Sequence, residues 1–458
     1  MKRREIVILL VTLALISVMV MGGCGGSSAK FSDDFSTPTL IDNAYLPLVP
    51  GTTYIYEGET DEGTETIEVT VSHLTRKVQG VESAIVLDRA YLDGELVEET
   101  FDWYAQDDEG NVWYMGEDSA EYDSGVLVST DGSWEAGIDG AQAGYIMLAD
   151  PQVGDEYQQE YYEGEAEDMA EVLLLDAPVT LSDASTYTSL KVYEWTPLDL
   201  TAMENKYYAP GVGLVLEEQS DGSDPIELIS ISSDMMPDIS LSDFSAPTVI
   251  DNIYFPLVPG TTYSYESDTE DGFEEIIVEV LSTTRDVMGI TSRVVRDRVY
   301  LDGVIIEDTH DWYAQDDEGN VWYMGETVDN YNYDEGGNFI DITNEGAWEA
   351  GEDVAGLGVT AYPGIIMKAD PRVGDSYHQE YYEGGAEDLG AVIDSDVTIT
   401  VAGTVFTGCL KTQDWNPLEP GPPEYKYHAP GIGTVLEEVL DEDLEVEEVV
   451  ELISVSSP

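Results

Sequence analysis

Two stretches of the chain crowd carboxylates and aromatic rings together. The first, Asp150 to Asp168, reads Asp-Pro-Gln-Val-Gly-Asp-Glu-Tyr-Gln-Gln-Glu-Tyr-Tyr-Glu-Gly-Glu-Ala-Glu-Asp. It returns between Asp370 and Asp388, where Asp155, Glu160, Glu163, Glu167 and Asp168 reappear as Asp375, Glu380, Glu383, Glu387 and Asp388. Two carboxylates held about 5 to 9 Å apart can hydrolyse a glycosidic bond, and neighbouring rings can stack on sugars. The leading reading is plainer: a solvated strand edge whose acids discourage edge-to-edge pairing. Cation binding ranks between the two. Glu160, Glu163, Glu380 and Glu383 are the carboxylates expected to face a ligand under either chemical reading.

A second candidate is Asp107-Asp-Glu-Gly-Asn111, repeated as Asp316 to Asn320. In a calcium-binding EF-hand loop, glycine is sixth and ligands stand at the first, third, fifth and twelfth places. With Gly110 sixth, Ala105 falls first and Gly116 twelfth, so the template loses its first ligand and its bidentate glutamate in both copies. A tight hairpin needs only the Gly and Asn. A looser oxygen site on Asp107, Asp108, Asp316 and Asp317, holding calcium weakly, is the alternative. No other cofactor is expected.

The basic residues are few enough to be informative. Arg76 and Arg285, Arg89 and Arg298, Lys191 and Lys411, and Lys206 and Lys426 occupy equivalent places. Structural ion pairs are the first expectation. A ligand contact by Arg89 and Arg298 in a barrel mouth is the second. None of the four histidines has an equivalent in the other copy, and Cys409 stands where the first copy has Ser189. That argues against histidine or thiol chemistry common to both. Phosphate-loop, zinc-protease and dinucleotide patterns are absent.

These residues sit on a tandem duplication. All eight tryptophans pair between halves: Trp103 with Trp312, Trp113 with Trp322, Trp134 with Trp348, and Trp195 with Trp415. The expected order is a signal segment (1–24), a tether (25–32), a first domain (33–233), a linker (234–242) and a second domain (243–458). Turn signals every 8 to 14 residues, between runs rich in Val, Ile, Thr and Tyr, predict all-β domains. Asp93-Gly94 and Asp302-Gly303 suit two-residue hairpins, whose central residues both need positive φ. Thr291 to Leu301, Val304 to Ala314 and Asn320 to Gly325 read as a three-stranded meander. Glu165 to Leu175 has some helical period, but its copy carries Gly384-Gly385, Gly390 and Val392-Ile393, so a strand is predicted there. Each domain is expected to be a curved antiparallel sheet, a barrel or half-barrel, with a sandwich as the alternative.

The repeated phrases, Asn43 to Glu57, Asp102 to Glu117, Gly132 to Gly137, Ala149 to Asp168 and Lys206 to Gly213, resemble those of a group of prokaryotic lipoproteins without an assigned activity. The second copy departs from them at Ala347, opposite Ser133, and at His428, opposite Tyr208. The resemblance implies architecture and location, and carries no chemistry.

The N-terminus supports that location. Met1-Lys-Arg-Arg-Glu5, an apolar run from Ile6 to Met21, and Gly22-Gly23-Cys24 make a secretory signal of the lipoprotein type. Cys24 is the expected lipidation site, and two acyl chains suffice for stable attachment to a membrane. From Cys24 onward the chain has 14 Lys and Arg against 94 Asp and Glu, a net charge of −80. Such a surface excludes nucleic acid as a partner, because binding it requires neutralising phosphates with Lys and Arg. Cations or glycans are the partners this composition allows. An apolar fraction of 42% with 29 Tyr is too high for a disordered acidic chain, so the protein folds. The expectation is a lipid-anchored binding or structural protein rather than an enzyme, with a glycan-directed hydrolase as the competitor. Carboxylates converging in a deep pocket in both domains would favour the hydrolase, and a filled core would favour the module.

Overall fold

A computed structural model describes residues 35–60, 63–234, 239–269, 271–334, 336–418, 421–441 and 446–457. The signal segment, Cys24 and the tether lie outside the described residues. The chain divides into two compact units, Met1–Ser233 and Asp234–Pro458. Among the described residues the helical content is one 3-10 turn, Leu241–Asp243, and no helix is long and apolar enough to cross a membrane.

In the first unit the strands are β1 (Ile41–Asp42), β2 (Pro47–Leu48), β3 (Thr52–Thr60), β4 (Gly63–Val78), β5 (Val81–Leu92) and β6 (Glu95–Gln106). They continue as β7 (Val112–Asp123), β8 (Val126–Ser129), β9 (Trp134–Glu135), β10 (Gln142–Met147), β11 (Glu156–Gln158) and β12 (Glu160–Tyr161). The last five are β13 (Met169–Thr180), β14 (Thr186–Trp195), β15 (Met203–Ala209), β16 (Gly213–Gln219) and β17 (Ile226–Ser233). Fifteen of these form one antiparallel sheet with the path β11-β13-β14-β15-β16-β17-β3-β4-β5-β6-β7-β10-β12. The second unit repeats the path strand for strand.

The two ends of that path belong to one segment. Glu156, Tyr157 and Gln158 pair with β13, and Glu160 and Tyr161 pair with β10, with only Gln159 between them. The sheet is thereby nearly closed into a barrel, which covers part of its edges. In the second unit Ser376–His378 and Glu380–Tyr381 do the same on either side of Gln379. The strand-edge role expected for Glu160 and Glu380 is therefore corrected: both lie on the barrel's closing segment, Glu160 1% and Glu380 7% exposed. Closure needs a glycine beneath it. A Cβ on Gly144 would lie 2.3 Å from Gln158 O, and one on Gly364 2.3 Å from Gln379 C, so only glycine lets the backbones cross there.

Local signals account for much of the rest. Asp93 and Gly94 adopt φ of 50° and 83°, and Asp302 and Gly303 48° and 79°, as two-residue hairpins require. The predicted meander is Ile290–Leu301, Val304–Gln315 and Val321–Tyr333, with a longer third strand. Met169–Thr180 is a strand, as the glycines of its copy require. Six of the tryptophans are buried: Trp103, Trp113 and Trp134 form one cluster with Met115 and Ala136, and Trp312, Trp322 and Trp348 repeat it. Trp195 is half-buried and stacks on Tyr193.

Candidate functional site

Alternation along the strands decides what faces the barrel interior. On β6 the inward positions are Glu98, Thr100, Asp102 and Tyr104, a polar row where a core strand would carry aliphatic residues. Asp88 of β5, Tyr114 and Glu117 of β7, Glu194 of β14, Lys206 and Tyr208 of β15 and Glu217 of β16 project into the same space. Glu160, on the closing segment, and Asp168, just before β13, complete it. Together they line a cavity of about 180 Å³ whose apolar wall includes Leu48, Val86 and Ile146. Eight carboxylates and one lysine thus share the inside of the first barrel.

Their hydrogen bonding separates two groups. Lys206 Nζ lies 3.0 Å from Glu194, 3.1 Å from Glu204 and 3.6 Å from Glu217, and Gln159 Nε2 donates to Glu194 at 3.0 Å. Burial opposes the Lys206 charge, but those three carboxylates overcome it and hold its pKa well above the ordinary lysine value. In the other group the Tyr114 hydroxyl lies 2.5 Å from Asp102 Oδ1 and 2.8 Å from Glu117 Oε2. One hydroxyl proton cannot serve two carboxylates, so one of that pair carries its own. Burial, partly offset by the Tyr114 bond and Lys206, raises Asp102 to about 6. Burial and the neighbouring Glu160 and Asp102 charges push Glu117 well above the carboxylate range. Glu98, buried and facing Glu121, rises to about 8. Glu160 is raised strongly by burial and by Asp168, while the indole N–H of Trp134 pulls the other way without forming a well-shaped hydrogen bond.

The second barrel keeps the frame and changes the lining. Asp297, Asp311, Tyr313, Asp414, Lys426 and Glu437 line a cavity of about 290 Å³. Lys426 Nζ lies 3.0 Å from Asp414, and Tyr323 donates to Asp311 at 2.8 Å. Three substitutions occur together: Tyr208, Val192 and Leu214 of the first barrel become His428, Thr412 and Thr434. The His428 ring bridges them, with Nε2 3.3 Å from Thr412 Oγ1 and Nδ1 3.2 Å from Thr434 Oγ1. Burial lowers its pKa to about 4, which leaves the ring neutral at pH 7.

Of the residues singled out in the sequence, Glu160 reaches the cavity, while Glu380 is buried beside the second without lining it. Glu163 and Glu383 are exposed in the turn that follows. Arg89 adjoins Asp88 on a regular stretch of strand, so it points away from the interior, where it meets Glu99 at 2.8 Å and Glu68 at 3.4 Å. Arg298 likewise faces away and meets Glu279 at 2.5 Å. For these four residues the expected ligand-facing position is corrected: Glu163 and Glu383 stand in an exposed turn, and strand alternation gives the interior to the neighbours of Arg89 and Arg298, of which Arg89 is buried on the outer side of the sheet among its carboxylates. Arg76 and Arg285 each lie 3.9 Å over a tryptophan ring, Trp103 and Trp312, while pairing with Glu135 and Glu349.

The Asp-Asp-Glu-Gly-Asn loops use their oxygens internally. Asp107 accepts from the backbone of Glu109 and Asn111, from the Asn111 amide and from the Trp113 indole. Asp316 does the same with Glu318, Gly319, Asn320 and Trp322. Asp108 holds Ser36, and Asp317 holds Ser245.

The interior carboxylates other than Glu160 and Asp168 escaped sequence reasoning. The available signal was the run Glu98-x-Thr100-x-Asp102-x-Tyr104, alternating in type and kept in the second copy as Glu307-x-Thr309-x-Asp311-x-Tyr313.

No protein-family model and no curated protein matches the chain. Among solved structures, a "putative exported protein with YmcC-like fold" from Bacteroides fragilis aligns over 45% of this chain and 100% of its own, at 15% identity and a TM-score of 0.26. A "putative lipoprotein" from Parabacteroides distasonis aligns over 45% of this chain and 99% of its own, at 16% identity and a TM-score of 0.26.

Proposed function

We propose that the protein is a lipid-anchored, extracytoplasmic binding protein in which each barrel encloses one small polar ligand. One observation carries this reading: both barrels turn carboxylates, tyrosines and one lysine into an interior that also carries aliphatic side chains. Burying so many ionisable groups costs stability, and a ligand that satisfies them supplies the compensation. The lipoprotein-type N-terminus and the resemblance of the repeated motifs support the address. Protein purified from its native envelope and held under non-denaturing mass spectrometry is expected to carry a stoichiometric small molecule. A bare polypeptide mass from native material, unchanged on denaturation, would remove the reading. Cys24→Ser is expected to move the chain to the soluble fraction, and retention in the membrane would refute the anchor.

Glycoside hydrolysis is the second reading, and converging carboxylates in both barrels favour it. Asp102 and Glu117, sharing one tyrosine and one carboxyl proton, have the unequal protonation such chemistry uses. Space argues against it: about 180 Å³ in the first barrel is below the roughly 300 to 1,000 Å³ of ordinary ligand pockets, and about 290 Å³ in the second only reaches their lower edge. Release of nitrophenol from aryl glycosides, abolished in Asp102→Asn, would promote hydrolysis over binding.

A further inference from the structure

We infer that the cavity of the first barrel takes a small organic ammonium cation, a primary amine or diamine, on the carboxylates that Lys206 does not pair with. The inference rests on the binding reading above and gives its ligand a chemistry.

Lys206 divides the cavity's charge. Its ammonium occupies Glu194, Glu204 and Glu217, so this barrel already holds one alkylammonium in a cradle of three carboxylates. Among the described residues no cation pairs with Asp88, Glu98, Asp102, Glu117 or Glu160. Within that second set Glu160 is 1% exposed, lines the cavity, and has no well-shaped hydrogen bond, the Trp134 indole N–H being its one poorly placed neighbouring donor; Glu98 Oε2 has no partner. A buried carboxylate that lines a cavity without a well-placed donor is costly unless a donor arrives. The missing complement is positive and rich in N–H.

The rest of the lining distinguishes an organic cation from a metal ion. A calcium ion needs six to eight oxygens converging at about 2.3 to 2.6 Å. Here, among the described residues, no three carboxylates of the cavity each bring an oxygen within 4.8 Å of the others. Instead the carboxylates are spread around the rings of Tyr56, Tyr104, Tyr114 and Tyr208 and the aliphatic groups of Leu48, Val86 and Ile146. Ring faces attract ammonium groups, and the aliphatic wall receives a carbon stem. A cavity of 150 Å³ holds a molecule the size of benzene, so 180 Å³ suits about six to eight non-hydrogen atoms. Because burial leaves several of these carboxyls protonated, uptake of the cation releases protons to solvent and tightens as pH rises.

Calorimetric titration of the full-length protein at pH 8 and fixed ionic strength tests this, with putrescine as the probe and neutral 1,4-butanediol and calcium chloride as comparisons. Putrescine is expected to saturate a site that butanediol does not occupy. Glu160→Gln should weaken that site at least tenfold while raising the melting temperature, since it removes a buried ionisable group that lacks a well-placed partner. A structural role alone would lower both. Glu98→Gln should weaken it in the same direction, and the exposed Glu163→Gln should leave it unchanged. Putrescine binding that does not saturate, or that survives Glu160→Gln and Glu98→Gln in full, overturns the inference, as does a saturable calcium site in its place. Saturable binding of butanediol independent of charge removes the cation and keeps the binding reading. Silence from all three probes, joined to a bare protein from the native envelope, removes both.

Discussion

Asp107 Oδ2 accepts the indole N–H of Trp113 at 2.9 Å, and Asp316 repeats the bond to Trp322 at 2.8 Å. Each carboxylate thereby ties a hairpin turn to a buried ring of its domain's tryptophan cluster. Hydrogen bonds to a charged acceptor contribute about 1.5 to 3 kcal/mol each, and those of one carboxylate are not additive. Asp316→Ala is therefore expected to destabilise the second domain by about 3 kcal/mol in urea unfolding followed by tryptophan fluorescence. Asp316→Asn, which keeps an acceptor oxygen, should cost less. An Asp316→Ala protein within 0.5 kcal/mol of the parent, on the ~1 kcal/mol scale of an ordinary substitution, would show that the turn holds itself.

The same bonds bear on calcium. With Asp107 and Asp316 engaged by their own turns, and Asp108 and Asp317 by Ser36 and Ser245, these loops have little oxygen left to offer an ion. The net charge of −80 still makes the fold sensitive to screening. Melting temperature should rise gradually with ionic strength, and magnesium and calcium should act alike at matched concentration. Saturable stabilisation selective for calcium, lost in Asp108→Asn, would instead establish a site in the loop. Indifference to sodium, magnesium and calcium salts alike would remove the electrostatic argument.

Acidity should stabilise the barrels. Glu98 titrates near 4.5 when unfolded and about 8 in the fold, where burial and Glu121 disfavour its charge. Between these values the folded state binds the extra proton, so stability is fully present below pH 4.5 and is lost as pH rises through 8. Asp168, raised to about 7 by burial, and Glu326, raised to about 8 by burial and Asp311, act in the same sense. His428 opposes them only between pH 4 and 6.5, where its depressed value makes the unfolded chain bind the proton. Urea unfolding in high salt should therefore show stability falling from pH 6.5 to 8, with a shallower fall in Glu98→Gln. A flat or rising profile across that window would mean that the interior carboxylates are solvated.

Much of the architecture was legible because local chemistry dictated it. Asp93-Gly94 can form only a tight turn between strands, and the paired tryptophans announce the duplication and its cores. The interior was not legible, for two reasons. Binary patterning assumes that the inward face of a strand is apolar, whereas β6 turns Glu98, Thr100 and Asp102 inward, so alternation is visible but its direction is not. The closing segment pairs through three residues on one side and two on the other, too few for a period. Glu160 accordingly reads as one acid among many until the sheet closes over it.

Closure is also where a single methyl group should do most damage. Gly144 lies on β10 under the Gln158–Gln159 peptide, and its Cβ would stand 2.3 Å from Gln158 O and 2.6 Å from Gln159 C, both backbone atoms held by their own pairing. Neither can move without breaking the contact of the segment with β10 or with β13. Overpacking of this kind costs about 1 to 3 kcal/mol, and at a closure point the upper end applies. Gly144→Ala should lower the first domain's stability by about 3 kcal/mol and speed amide exchange at Glu160 and Tyr161, leaving the second domain's amides as they were. Gly364→Ala should reverse the pattern, since Gly364 meets Gln379 in the same way. Substitution of both glycines without loss of stability or protection would mean that the segment does not close the barrels.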